Sequence, residues 1–182
     1  MSCFHRAGWV LLLLSLFACG CASVPNEYIP SVVGSLGESE TSGPIEARIN
    51  AAQDRVSLGD QIFFSVTIRN RGADPIWLPR DPDVLLTWIY PNGEHDNFLR
   101  EFASERFYDT ADAVLLRPGH QMVKTIIVKT YFFPKPGITE FRAQVHMARN
   151  TNPELRPFWV GDLESNAYGV MVDKPILRSA RR

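Results

Sequence analysis

The stretch that decides the fold runs from Gln61 to Asn70 and reads QIFFSVTIRN. Its side chains fall into two alternating sets: Ile62, Phe64, Val66 and Ile68 on one side, and Phe63, Ser65, Thr67 and Arg69 on the other. Successive side chains of a strand point to opposite faces, so this alternation predicts a strand with one buried and one solvated face. Such half-buried strands are typical of antiparallel sheets. We therefore expect Phe64 and Val66 in the core and Arg69 in solvent.

Similar short apolar or alternating runs lie on both sides of this strand. They are separated by turn sequences such as Asn92-Gly93 and Arg117-Pro118-Gly119. The further predicted strands cover residues 45–49, 76–78, 84–90, 113–116, 121–131 and 138–147, and the last strand is supplied by 158–160 together with 165–173. Many short strands with almost no helical periodicity predict two packed sheets. The predicted fold class is all-β, an immunoglobulin-like antiparallel β-sandwich of seven or eight strands over residues 45–175.

The turns and strand starts also resemble those of bacterial immunoglobulin-like domains. The matching elements include Val56-Ser57-Leu58-Gly59-Asp60, Leu116-Arg117-Pro118-Gly119 and the stretch from Trp159 to Asn166. This resemblance implies a sandwich fold and specifies no chemistry. The layout is more weakly similar to the bacterial intracellular proteinase inhibitor family, which would imply inhibition through a rigid protruding loop.

Composition restricts the classes of function. The chain has 182 residues, a formal net charge of −1 and 45% hydrophobic residues, which fits one globular domain with accessory segments. Without a concentrated basic charge, a nucleic-acid partner is not expected. All three cysteines, Cys3, Cys19 and Cys21, precede the predicted domain, so that domain has neither a disulfide nor a thiolate metal site.

The N-terminus has the layout of a secretory signal. Arg6 precedes the apolar run 10–18 (VLLLLSLFA), and the small residues of CGCAS follow. A bilayer span needs roughly 20 apolar residues, so this run is too short to remain as a transmembrane helix. We expect residues 1–18 to be a cleaved signal peptide.

The end of that run resembles the lipobox of bacterial lipoproteins. Leu16-Phe17-Ala18-Cys19 places an aliphatic residue and a small residue before the cysteine that would be acylated. Cys21 is the alternative, with Ala18 in the aliphatic position. The resemblance implies a membrane-lipid anchor through acyl chains on the cysteine, and hence a location in the cell envelope. Because Gly20 rather than Asp follows Cys19, it also implies the outer membrane if the organism is Gram-negative.

Two polar segments flank the predicted domain. Residues 19–44 would comprise the lipidated cysteine and a flexible linker rich in Ser, Gly, Glu and Pro. Residues 176–182 form a basic tail, which we interpret as solvated.

The segment 94–112 has the least clear strand pattern, and we expect a long excursion there with a hint of helical spacing. It mixes acidic side chains with aromatic ones, and Phe98, Phe102, Phe107 and Tyr108 are the candidate contact residues for a partner. Long excursions from a rigid scaffold are common binding elements. The alternative is that the segment is a flap covering one sheet face.

No catalytic or metal-binding motif stands out. Glu94-His95-Asp96 and Asp81-Pro82-Asp83 contain possible metal ligands, but neither has the spacing of a known zinc or calcium site. We expect no enzyme activity, no metal and no cofactor. Trp77, Trp88 and Trp159 are interpreted mainly as core residues, and the adjacent Phe132 and Phe133 cannot both point into one core.

The sequence thus predicts a membrane-anchored, non-enzymatic envelope lipoprotein that acts as a protein-interaction or structural module. Two alternatives stay open. One is a carbohydrate- or peptidoglycan-binding domain, and the other is a proteinase-inhibitor-like sandwich.

Overall fold

A computed structural model describes residues 28–38, 41–98, 101–130 and 135–175. These residues form fifteen strands, with no α-helix among them. The strands are β1 Gly34–Leu36, β2 Thr41–Ser42, β3 Ile45–Ala51, β4 Arg55–Ser57, β5 Gln61–Asn70, β6 Ile76–Pro79, β7 Asp83–Ile89, β8 His95–Asn97, β9 Glu105–Arg106, β10 Ala113–Leu116, β11 Gln121–Lys129, β12 Gly137–Met147, β13 Arg149–Asn150, β14 Gly161–Glu164 and β15 Ala167–Asp173.

Two sheets pack face to face as an immunoglobulin-like β-sandwich. The larger sheet has seven strands in the order β1-β15-β12-β7-β8, with β14 paired to β12 and β4 to β15. The smaller sheet has four strands in the order β11-β5-β3-β2. Two short two-stranded pairs, β10-β6 and β13-β9, lie outside these two sheets. The predicted fold class is confirmed.

Strand β5 is the centre of the smaller sheet, as its alternation predicts. It pairs antiparallel with β11 from Gln61↔Lys129 to Arg69↔Gln121, and with β3 on its other side. Phe64 and Val66 are fully buried and Arg69 is exposed, which confirms the predicted register. Opposite neighbours share a face, so this register also fixes which side chains of β3 and β11 point inward.

The core lies between the inner faces of the two sheets. Phe64 of the smaller sheet and Phe141 of the larger sheet meet with ring centroids 4.7 Å apart, and neither ring is exposed. Trp88 and Trp159 are also part of this core, as predicted for these two residues. A tilted aromatic pair adds about 0.5–1.5 kcal/mol to the burial of its apolar area, so this contact is central to holding the sheets together.

The short elements differ from the expectation of seven or eight strands. Six strands have seven or more residues. Of the nine shorter strands, β6 and β10 were predicted, and the other seven were not. Two of the pairings are parallel, β4 with β15 and β9 with β13. The described part of 94–112 contains strands β8 and β9 and no helical turn, which corrects the helical hint.

The chain also joins the sandwich earlier than expected. Strand β1 lies within the predicted linker and pairs antiparallel with β15 from Gly34↔Gly169 to Leu36↔Ala167. Strand β2 pairs with the start of β3. The predicted flexible linker to residue 44 therefore differs from the structure, in which backbone hydrogen bonds to the sandwich order part of that segment.

Several predictions concern residues outside the described ranges. They are the signal peptide 1–18, the acylation sites Cys19 and Cys21, the pair Phe132–Phe133 and the basic tail 176–182. Among the residues that are described, no helix is long and apolar enough to cross a bilayer.

Candidate functional site

A concave feature with a volume of about 730 Å³ lies on the outer face of the larger sheet. Its floor is formed by β7 and β12, the two central strands. One wall is the N-terminal segment (residues 28–38), and the other is β8. We call this hollow the outer cleft. Its lining includes Tyr28, Leu36, Ile89, Asn97, Arg142 and Glu164.

The N-terminal wall depends on a glycine in β15. A Cβ atom at Gly169 would lie only 1.9 Å from the carbonyl oxygen of Val32. No side chain fits there, so glycine is what allows the N-terminal segment to cross the sheet at this distance. Gly169 also pairs with Glu140 of β12, which places the crossing next to the floor of the cleft.

The floor contains a buried carboxylate on the face of the sheet that points away from the core. Glu140 is only 1% exposed. Its Oε2 accepts a hydrogen bond from the Tyr28 hydroxyl at 2.5 Å, and its Oε1 accepts from the Arg142 guanidinium at 3.3 Å. Both carboxylate oxygens are therefore satisfied, as the burial of a charged group requires.

Arg142 joins two carboxylates across the floor. Its guanidinium donates to Glu164 Oε1 at 2.7 Å as well as to Glu140, and about two-fifths of each of the Arg142 and Glu164 side chains remains exposed. The hydrogen bond to Glu164 is the main cause that raises the pKa of Arg142. The hydrogen bond to Glu140, followed by burial, raises the pKa of Tyr28. The floor thus holds a protonated phenol and a guanidinium cation in fixed positions.

The β8 wall contains the residues Glu94-His95-Asp96 that were considered as metal ligands. Glu94 binds Lys135 Nζ at 2.5 Å, a contact that lowers the pKa of Glu94, and Asp96 accepts a hydrogen bond from the Tyr90 hydroxyl at 3.2 Å. His95 is exposed and lines the cleft. These three side chains therefore do not converge on one point where a metal ion could bind.

Asp81 and Asp83, the residues considered for calcium, have cationic partners instead. Asp81 binds Lys124 Nζ at 2.5 Å, and Asp83 binds the Arg106 guanidinium at 2.8 Å. Within the described ranges, no group of three or more His, Cys, Asp or Glu side chains converges as a metal site would require.

The four candidate contact residues of 94–112 divide into packed and exposed ones. Phe98 lies against Trp88, with ring centroids 4.8 Å apart, and is 39% exposed. Phe102 stacks on His146 at 4.7 Å. Tyr108 is 8% exposed and stacks on Phe158, whereas Phe107 is 67% exposed. Three of the four side chains thus pack on other parts of the sandwich, and Phe107 is the one that points most fully into solvent.

This segment is held on both sides of Phe107. The ion pair between Arg106 and Asp83 fixes one neighbour, and the other neighbour, Tyr108, belongs to a satellite cluster with Ala113 and Leu155. Asn150 Oδ1 accepts a hydrogen bond from the Tyr108 amide at 3.1 Å. Trp77 packs on this satellite cluster and is half-buried, so it lies outside the main core that contains Trp88 and Trp159.

The polar residues on the floor of the outer cleft were not identified from the sequence. Glu140 and Arg142 lie on the face of β12 opposite Phe141, a face that alternation alone assigns to solvent. Glu140 is buried because Tyr28, 112 positions away, reaches it. No local pattern reports such a contact. The glycine in an otherwise apolar last strand was the one available hint of a close backbone approach.

Comparisons with known proteins find structural similarity only. No protein-family model matches the sequence, and no curated protein is significantly similar. A β-glucosidase from Erythrobacter marinus aligns over 70% of this chain, with 16% identity and a TM-score of 0.40, and the chain spans about 15% of that enzyme. At this level of similarity the match says nothing about the cleft.

Two further proteins match this chain with similar TM-scores. A CARDB domain from Pyrococcus furiosus, solved in complex with di-metal ions, aligns over 75% of this chain and 96% of its own length, with 15% identity and a TM-score of 0.38. The sporulation control protein Spo0M from Bacillus subtilis aligns over 72% of this chain and 50% of its own length, with 12% identity and a TM-score of 0.40.

Proposed function

We propose that this protein is a lipid-anchored, non-enzymatic module of the bacterial cell envelope whose β-sandwich binds a protein partner. The anchor would be Cys19, with Cys21 as the alternative, and the partner would contact the sandwich at Phe107. The observation that carries the partner assignment is an aromatic side chain, 67% exposed, on a segment that is braced on both sides.

Phe107 has the properties of an interface anchor. Large aromatic residues contribute strongly to binding when they fill a pocket on a partner. The ion pair of Arg106 and the burial of Tyr108 hold the backbone on either side of Phe107. Since the backbone on either side of Phe107 is already held, binding through Phe107 would cost less conformational entropy than binding through a flexible loop.

The anchor proposal rests on Leu16-Phe17-Ala18-Cys19. The Tyr28 hydroxyl contacts Glu140 of the sandwich, so nine residue steps separate Cys19 from the first described contact with the folded domain. At about 3.3–3.6 Å per residue these steps span at most about 32 Å, whereas a linker to residue 45 would span about 90 Å. The module would therefore be held close to the membrane surface, in the outer membrane if the organism is Gram-negative.

The hydrogen bonds of the buried carboxylate, Glu140, support the proposal that the protein is not an enzyme. Both oxygens of Glu140 accept hydrogen bonds from Tyr28 and Arg142. A general acid or base needs to exchange a proton with a substrate within hydrogen-bond reach. Both oxygens of Glu140 are already engaged in these hydrogen bonds, and the bond to Tyr28 holds the N-terminal segment in place.

Mass spectrometry of the mature N-terminus tests the anchor. We expect a diacylglycerol-modified Cys19, with processing abolished by Cys19→Ser and preserved by the matched Cys21→Ser variant. The reverse pattern would move the anchor to Cys21. A mature chain that starts at Ala22 or later without acyl groups would contradict lipidation altogether.

Site-specific photocrosslinking tests the partner. A crosslinkable residue in place of Phe107 should yield a discrete adduct with an envelope protein, whereas the same residue in place of Val123 should not. Val123 is the control because it is 54% exposed on the smaller sheet. When the crosslinkable residue is placed next to position 107 instead, the Phe107→Ser substitution should abolish its adduct. The thermal midpoint should stay nearly unchanged, since little of the Phe107 side chain is buried. Equal adducts at both positions would contradict the proposal.

A further inference from the structure

We infer that the outer cleft binds a short, uncharged glycan. The cleft lies between the N-terminal segment and β8, and its floor is the face of β7 and β12 that points away from the core. Its volume of about 730 Å³ falls in the usual range of small-molecule sites. Glycan binding by the purified chain requires neither the lipid anchor nor Phe107, so this inference and the proposed function fail independently.

The polar groups of the floor are prearranged. Glu140 fixes Tyr28 and Arg142, and Glu164 fixes the other side of the guanidinium. Arg142 and Glu164 nevertheless keep about two-fifths of their side chains exposed. A guanidinium and a carboxylate held side by side offer donors and acceptors in one place, and a sugar hydroxyl both donates and accepts. Because the array is already ordered, a ligand would not have to organise it.

Apolar surface lies beside these polar groups. Leu36 and Ile89 line the same cleft, and Tyr28 contributes its ring as well as its hydroxyl. A pyranose presents C–H groups on its ring faces and hydroxyls around its edge, so it can contact both kinds of surface at once. A purely apolar ligand would instead desolvate Arg142 and Glu164 without replacing their hydrogen bonds to water, which is costly.

The charge of the lining disfavours anions. Glu140, Glu164 and Asp96 are acidic, and Arg142 is the cation that two of them already engage. A phosphate or carboxylate ligand would meet more negative than positive charge in the cleft. An uncharged ligand avoids this repulsion.

The position of the cleft disfavours an extended peptide. Peptides that recognise β-sheets usually add a strand at an edge and use main-chain hydrogen bonds. The floor strands are central: β12 pairs with β7 and β15, and β7 pairs with β12 and β8. Their main-chain groups are used within the sheet, so recognition in the cleft depends on side chains.

Titration calorimetry on the full-length chain in detergent tests the inference. The probes are two neutral tetrasaccharides, one of β-linked N-acetylglucosamine and one of α-linked glucose, together with tetra-alanine and inorganic phosphate. We expect saturable binding of at least one tetrasaccharide, and weaker or undetectable binding of the peptide and of phosphate.

The key variant is Glu164→Gln, which keeps the side-chain shape and removes the charge. Losing one charge-assisted hydrogen bond should weaken glycan binding about tenfold or more. The matched control is Glu105→Gln, because Glu105 also pairs with an arginine, Arg149, at 3.5 Å but does not line the cleft. Its binding should equal that of the wild type. Asn97→Ala, in the opposite wall, is the second variant if Glu164→Gln does not fold, and it should also weaken binding.

Three results would overturn the inference. The first is no saturable binding of either tetrasaccharide at millimolar concentration. The second is binding that neither Glu164→Gln nor Asn97→Ala weakens, which would place the glycan elsewhere. The third is tighter binding of tetra-alanine or phosphate than of both glycans, which would assign the cleft to a peptide or an anion.

Discussion

The outward faces of the two sheets are built from the same kind of alternating strand, but the exposure of comparable positions on them differs. On the smaller sheet, the outward side chains Phe63, Val123 and Ile127 are 37%, 54% and 55% exposed, although all three are apolar. On the larger sheet, the outward side chain of Glu140 is charged and only 1% exposed. Residue type and exposure are therefore reversed at these positions, although the smaller sheet also has one buried outward carboxylate, Glu46, which is 4% exposed and pairs with Arg48 and Arg71.

The N-terminal segment is the physical reason for this reversal. It crosses the larger sheet above Gly169 and brings the Tyr28 hydroxyl to Glu140, so an outward position becomes a buried one. Nothing described covers Val123 and Ile127 in the same way. The comparison teaches that strand alternation assigns a side chain to a face, while a distant segment decides whether that face is solvated.

The largest expected effect contrasts the inner and outer faces of β5 itself. Phe64→Ala should lower the free energy of unfolding by about 3–5 kcal/mol, because it removes a fully buried ring that packs on Phe141. Phe63→Ala changes the same residue type one position away, where the ring is 37% exposed, and should cost less than about 1 kcal/mol. Urea unfolding of both variants measures the difference. Equal losses would show that the two faces of β5 are not distinct.

The next effect concerns the crossing above the larger sheet. Gly169→Ala places a Cβ where Val32 now lies, and we expect the N-terminal segment to be displaced at a cost of about 1–3 kcal/mol. Limited proteolysis should then cut within residues 28–38 faster than in the wild type. The smaller sheet supplies an internal control, since cutting within β11 should not change. Unchanged proteolysis at the N-terminal segment would show that the segment does not depend on this close approach.

A pH effect tests a tyrosine on the inner face of the larger sheet. Burial, followed by the hydrogen bond to Asp54, raises the pKa of Tyr168 to about 12 from its ordinary value of 10.0. The folded state thus favours the protonated phenol, so its stabilising contribution is complete below pH 10 and is lost as the pH rises toward 12.

Urea titrations between pH 9 and pH 12 measure this loss. The wild type should lose stability over that range, and Tyr168→Phe should lose less because it has no proton to release. Tyr28, Tyr90 and Tyr108 also have raised pKa values, so some dependence should remain in the variant. Identical slopes for the two proteins would contradict the assignment to Tyr168.

The smallest effect is expected at an uncovered outward position of β5. Arg69 is exposed on the smaller sheet, and Arg69→Ala should change the free energy of unfolding by less than about 0.5 kcal/mol. A loss above about 1 kcal/mol would mean that something covers this face as the N-terminal segment covers the other.

The sequence was enough to predict features set by local alternation, and it was not enough for features set by long-range contacts. The alternation of β5 is local, so it was enough to place Phe64 in the core and Arg69 in solvent. The burial of Glu140 depends on Tyr28, which lies 112 positions away in a stretch whose composition indicates a flexible linker. The cleft was therefore not predictable, because it arises from a long-range contact between Tyr28 and Glu140 that the local pattern of neither segment reports.

The segment 94–112 is an intermediate case. Its aromatic residues indicated that it would either pack down or meet a partner, and the structure shows Phe102 and Tyr108 packed while Phe107 is exposed. The composition could not show which of these residues pack, because Phe102 and Tyr108 stack on His146 and Phe158, which belong to other parts of the chain.

The central claim is that the N-terminal segment belongs to the folded domain and covers part of the outer face of the larger sheet. Hydrogen–deuterium exchange of the full-length chain tests it most directly. We predict slowed exchange at amides of Gly34–Leu36, which pair with β15, and loss of this protection in Gly169→Ala while β12 stays protected. Exchange of Gly34–Leu36 in the wild type as fast as in an unstructured peptide would contradict the account.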